Sequence, residues 1–205
     1  MAGTLACRLK AVNEGPGLGY CLPVLNRILS RLRRPAEMPA GSELYFALVR
    51  QARQPVFFRD WKVPDTVDGR FDTIVVHAAL LFRRLRALGP AAQALSDETF
   101  AAMTADLDRS VRELGGGDIG VGKRMKAIGR AFYGRVQAYD EALEGKQSLE
   151  DALVRNVYRN APVDAAVVGR LADYVRNAVL ALDRQSLADL ARGRADFPSV
   201  EPPVG

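Results

Sequence analysis

Across 205 residues the sequence holds one histidine, two cysteines and one tryptophan, and aromatic residues make up only 7%. Each scarcity removes a class of function. Cys7, Cys21 and His77 supply at most three soft ligands, short of a tetrahedral zinc site unless a carboxylate joins them. A Ser–His–Asp triad would have to be built on His77 alone. Two cysteines in an irregular N-terminus read as incidental thiols of a reducing compartment, not as a structural disulfide. The longest apolar run, IVVHAALLF at 74–82, has about half of the ~20 residues that cross a bilayer. The N-terminus has no apolar core of signal-peptide type. These features predict an intracellular protein of one domain with a real core.

Charge is present but unevenly placed. The net charge is +5, yet residues 1–62 hold ten Lys/Arg against four Asp/Glu, while the remainder holds nineteen against twenty. A basic front predicts an anionic partner surface, either lipid or RNA. LPVLNRILSRLRR puts Leu22, Leu25, Leu29 and Leu32 on one stripe, with Arg27, Arg31, Arg33 and Arg34 between or after them. Such a short basic amphipathic helix suits reversible attachment to an anionic membrane surface. It equally suits packing on the body.

No strand pattern survives, and helical periodicity runs through almost the whole chain. The fold class is therefore all-α, a single-domain helical bundle of six to eight helices. The expected organisation is a basic arm and linker over 1–41, a helical domain over 42–192 and a flexible tail over 193–205. Ser42 is expected to cap one helix and Ser96 another. A long helix is expected over Arg70–Leu88, ending at Gly89–Pro90. Ser148 with Asp151 reads as a capping box, and Pro162 as the first turn of a last long helix to about Leu182.

GGGDIGVGKR at 115–124 imitates a phosphate-binding loop, with Gly117 and Gly122–Lys123 correctly spaced. Three requirements fail. The preceding segment is an amphipathic helix and not a strand, Arg124 replaces the hydroxyl that would hold magnesium, and no strand end offers a carboxylate. The glycines read as a hinge between helices. No cofactor is expected.

Past that hinge, Val121, Met125, Ile128, Phe132, Val136, Tyr139 and Leu143 form a core stripe, with Lys123, Lys126 and Arg130 nearly opposite. No Asp or Glu occurs from Ile119 to Tyr139. This ridge is either a merely solvated face or a site for an acidic partner or RNA. In VPDTVDGRFD at 63–72, Asp65, Thr66 and Asp68 are placed to bond nearby amides, and Arg70 and Asp72 to lock the loop to a helix start. The spacing of the three carboxylates does not match a calcium loop, so capping is the expected role. His77 is expected to be a hydrogen-bonded structural residue.

YFALVRQARQPVFFRDWKVPDTVDGRFDTIVVHAALLFRRL and ADLDRSVRELGGGDIGVGKRMKAIGRAFYGRVQAYDEAL resemble the ubiquinol–cytochrome c chaperone family, over about Leu44 to Leu143. The resemblance implies a helical, non-enzymatic assembly factor. Mitochondrial members bind newly made cytochrome b near the ribosomal tunnel exit, together with a small partner protein. On that reading the client meets Asp65, Thr66, Asp68 and Arg70 in the loop, and Lys123, Arg124, Lys126, Arg130, Tyr133 and Arg135 on the later helix. The alternative is an RNA- or ribosome-binding module acting through the helix 121–136. Arginine outnumbers lysine by 24 to 5, as in a GC-rich bacterium. The expected place is therefore the cytoplasm, peripheral to a bacterial inner membrane.

Overall fold

The computed structural model describes residues 38–113 and 118–200, and those from Pro39 onward form one compact unit. Arg27, Arg31, Arg33, Arg34, both cysteines and Gly115–Gly117 lie outside the described residues. Among the described residues every regular element is helical, in the order α1 (Ala40–Ala52), α2 (Pro55–Arg59), α3 (Val67–Ala87), a 3-10 turn (Gly89–Ala92), α4 (Gln93–Glu113), α5 (Asp118–Leu143), α6 (Leu149–Asn156), α7 (Ala165–Asp183) and α8 (Leu187–Leu190). None of these helices is long and apolar enough to cross a membrane.

α3 is the centre of the fold. Every residue from Asp72 to Leu81 is buried, because α1, α4, α5 and α7 all pack against it. A helix covered on all sides needs apolar residues all round, which the run 74–81 supplies. Its start is fixed by Thr66, whose hydroxyl accepts from the Gly69 amide at 3.1 Å. Gly69 is required by proximity, since a Cβ there would stand 1.9 Å from the Pro64 carbonyl oxygen.

Several expected helix ends move. α1 is capped at Pro39, and Ser42 falls inside its first turn. Ser96 lies within α4, which grows directly out of the 3-10 turn. Pro162 precedes α7, whose cap is Asp164. At α6 only half of the box forms: Ser148 accepts from the Asp151 amide, while its own hydroxyl turns to Glu150. The reciprocal box occurs at α8, between Ser186 and Asp189. At α1, α4 and α7, which all pack on α3, burial decides where the helix begins, and cap chemistry adapts to it. α3 begins at Val67, three residues ahead of the expected start at Arg70.

His77 is 1% exposed. Its Nδ1 lies 2.8 Å from the Thr73 carbonyl and so carries the proton, and its Nε2, also at 2.8 Å, accepts from the Tyr174 hydroxyl. Gln51 donates to that hydroxyl and to the Pro198 carbonyl. Phe197 meets the imidazole edge-on at 5.1 Å. Residues 197–198, within the expected tail 193–205, thus lie against this cluster.

Candidate functional site

A groove of about 470 Å³ opens between α1, α3, α4 and α5. Val67, Phe71 and Ile74 of α3, Leu107 and Val111 of α4, and Ile128 of α5 form its apolar floor. Arg53, Arg70, Arg135 and Arg159 bring cations to its walls, against Asp68 and Asp106.

One wall is built on Asp72. Its carboxylate has no exposed surface and faces two guanidiniums, Arg159 Nε at 2.9 Å and Arg135 Nη2 at 3.0 Å. Arg159 also reaches Asp68 at 3.0 Å. Burial holds the Asp72 carboxyl above the usual carboxylate range, and the bond from Arg159 and the nearby charge of Arg135 offset only part of that rise. Arg159 in turn is held more firmly protonated by its bond to Asp72. Arg159 and Asn160 both sit in the left-handed region, at φ 55° and 58°. Non-glycine residues hold that conformation only where surrounding structure imposes it, and here it delivers Arg159 to the two aspartates. Near them the Tyr139 hydroxyl is buried without a hydrogen-bond partner among the described residues, and burial pushes its pKa up.

The opposite wall carries Tyr45, whose hydroxyl donates to Asp106 at 2.7 Å. Burial and that bond both raise its pKa. Asp106 is further paired with Arg109.

The structure divides the residues expected to meet a partner. Asp68, Arg70 and Arg135 come together on the groove. Thr66 is occupied as a cap, and Asp65 pairs with Arg70 at 2.6 Å just outside. Lys123, Arg124, Lys126, Arg130 and Tyr133 do not line the groove. They form an exposed run along α5, and Tyr133 is 62% exposed beside Phe100. Gly122–Lys123 lie within α5 itself, and helix α4 precedes the glycines. The phosphate-loop geometry is therefore not formed by these residues.

Sequence reasoning missed Arg53, Arg159 and the floor. Asp72 was seen only as a lock for its own loop, whereas it bridges to α5 and to the segment before α7. Arg159 lies 87 residues from Asp72, and no local pattern reports such a pairing.

This arrangement offers apolar contact and fixed charge, and the one imidazole is sealed away from it. Fold and groove together define an all-helical protein with an open apolar groove edged by arginines. Residues 59–197 match the ubiquinol-cytochrome C chaperone family, and the chain belongs to that family. It is 24% identical to the ubiquinol-cytochrome-c reductase complex assembly factor 1 of Xenopus laevis over 152 residues, 74% of this chain and 76% of that one. The Drosophila melanogaster protein of the same name is 26% identical over 172 residues, 80% of this chain and 66% of that one. Among solved structures, the crystal structure of the Cbp3 homolog from Brucella abortus superposes with a TM-score of 0.71 at 34% identity, covering 87% of this chain and 97% of that one.

Proposed function

We propose that the protein is a non-enzymatic assembly chaperone for ubiquinol–cytochrome c reductase that holds cytochrome b, nascent or newly inserted, until other subunits take over. The observation that carries this reading is the groove: an apolar floor edged by arginines suits an apolar stretch of a subunit that lacks its final neighbours. Family membership supplies the complex, since the named relatives are assembly factors of it. A small partner protein and peripheral attachment to the inner membrane through Arg27, Arg31, Arg33 and Arg34 belong to the same proposal.

The test is affinity capture of the tagged full chain from detergent-solubilised membranes. Cytochrome b is the expected main companion, and Ile128→Glu, which places a charge on the floor, is expected to reduce its yield several-fold with the melting temperature unchanged. Deletion of the gene with no loss of assembled reductase would refute the reading.

One observation favours a second reading. Lys123, Arg124, Lys126 and Arg130 form no ion pair among the described residues, so this ridge remains free for ribosomal RNA. Such binding would weaken steeply with salt, because each phosphate contact releases counterions. Co-sedimentation with ribosomes that is indifferent to salt would dismiss it.

A further inference from the structure

Arg53 and Arg70 line not only the groove but also a second cleft of about 320 Å³, whose other walls are Pro55, Phe58, Arg59 and Asp65. Two guanidiniums therefore stand where an apolar groove meets a polar, cationic cleft. Elsewhere in the groove the charges are already matched: Arg135 and Arg159 by Asp72 and Asp68, and Asp106 by Arg109 and the Tyr45 hydroxyl. At the junction the matching is incomplete. Arg53 is exposed and forms no ion pair among the described residues. Arg70 bonds Asp65 through Nε alone, and both partners remain 54% exposed. Its guanidinium rests over the Phe58 ring with Cζ 5.7 Å from the centroid, and among the described residues its terminal nitrogens donate no hydrogen bond to a carboxylate.

An occupant lying across this junction strips water from two cations. An uncharged occupant leaves Arg53 desolvated without a partner and Arg70 with Asp65 alone, which opposes binding, whereas a carboxylate replaces the lost water with charge-assisted hydrogen bonds. A cationic occupant adds repulsion.

We infer that the groove selects an apolar peptide segment bordered by an acidic side chain, with the apolar residues on the floor and the carboxylate between Arg53 and Arg70. This rests on the client reading above and specifies the chemistry of the segment held. The groove lies within the ~300–1,000 Å³ of typical ligand sites, so it accommodates a few side chains and the recognised stretch is short. Specificity of this kind places the apolar contribution on the floor and the discrimination at the junction, where a wrong charge is penalised.

The test uses the full chain and short fluorescent peptides that share one apolar stretch and end in Glu, Gln or Lys. The Glu peptide is expected to bind about tenfold more tightly than the Gln peptide, as a well-placed ion pair of this kind provides, and the Lys peptide most weakly. Arg53→Gln combined with Arg70→Gln should bring the Glu and Gln peptides to parity. Ile128→Glu should weaken all three. Circular dichroism melting of each variant confirms that the fold is kept; if the double variant does not fold, Arg53→Gln alone should halve the preference or more. Equal binding of the three peptides, or a preference that survives the double substitution, overturns the inference. So does displacement of the Glu peptide by vesicles containing anionic lipid but not by neutral vesicles, which would assign the junction to a headgroup. The two readings fail separately. Cytochrome b captured equally by the wild type and the double variant removes the acidic preference and leaves the client, whereas a preference for Glu without cytochrome b in the capture does the reverse.

Discussion

Asp72→Asn is expected to lower the stability of the fold by about 3 kcal/mol. Removing one member of a buried ion pair typically costs about 3–5 kcal/mol, because the partner charge stays behind uncompensated. Here the lower end applies. Arg159 is 44% exposed and retains Asp68, but Arg135 is only 17% exposed and has no second carboxylate within reach among the described residues. The measurement is urea denaturation of the two proteins, compared at unchanged slope. Asp65→Asn is the control: it removes the same charge from an exposed pair, for which a loss below about 1 kcal/mol is expected. If the two substitutions cost the same, Asp72 does not organise the groove wall. A compensated variant, Asp72→Leu with Arg135→Met, should recover much of the loss, since apolar replacement of a buried pair is often neutral.

Acidification is expected to destabilise the protein through His77 by about 3 kcal/mol between pH 7 and pH 4. Burial is the first cause, and it pulls the imidazole from 6.5 down to about 4, against a smaller opposite effect of the Thr73 carbonyl. The folded state therefore holds the ring neutral, while the unfolded chain takes up a proton as soon as pH falls below about 6.5. Each further unit favours the unfolded state by about 1.4 kcal/mol until the folded pKa is reached. The stability is complete above pH 6.5 and is lost as pH drops through 4. His77→Gln can keep a donor for Thr73 and an acceptor for Tyr174 without a titrating group. Chemical denaturation of both proteins from pH 7 to 4 should show the gap between them shrinking by about 3 kcal/mol. Asp60, Asp65, Glu144 and Asp189, all held below the usual carboxylate range by their partners, contribute to both proteins alike and cancel in the comparison. Parallel pH profiles would mean that the ring is solvated in the folded state.

The helical class was legible because amphipathic spacing repeats through the chain, and a period near 3.6 survives without knowledge of partners. The loop 63–72 was legible in part. Thr66 capping and the Arg70–Asp65 pair are short-range contacts written in adjacent residues, whereas Asp72 reads as one more member of that loop until α5 and Arg159 are placed beside it. Helix starts were the weakest expectation. Ser42, Ser96 and Pro162 carry the right chemistry for helix ends, but a hydroxyl cap contributes about 1 kcal/mol and cannot outweigh the burial that fixes where α1, α4 and α7 begin.

Sequence alone determined that this chain forms helices, where its cations accumulate, that it has a single imidazole, and which family it resembles. Only the tertiary structure decided which arginines are spent on Asp72 and Asp68, and that Arg53 stands beside Arg70 with no carboxylate of its own among the described residues. Helix formation depends on neighbours three and four residues apart, while a groove and its unmatched charge depend on side chains brought together from 53, 70, 135 and 159 by the packing around α3.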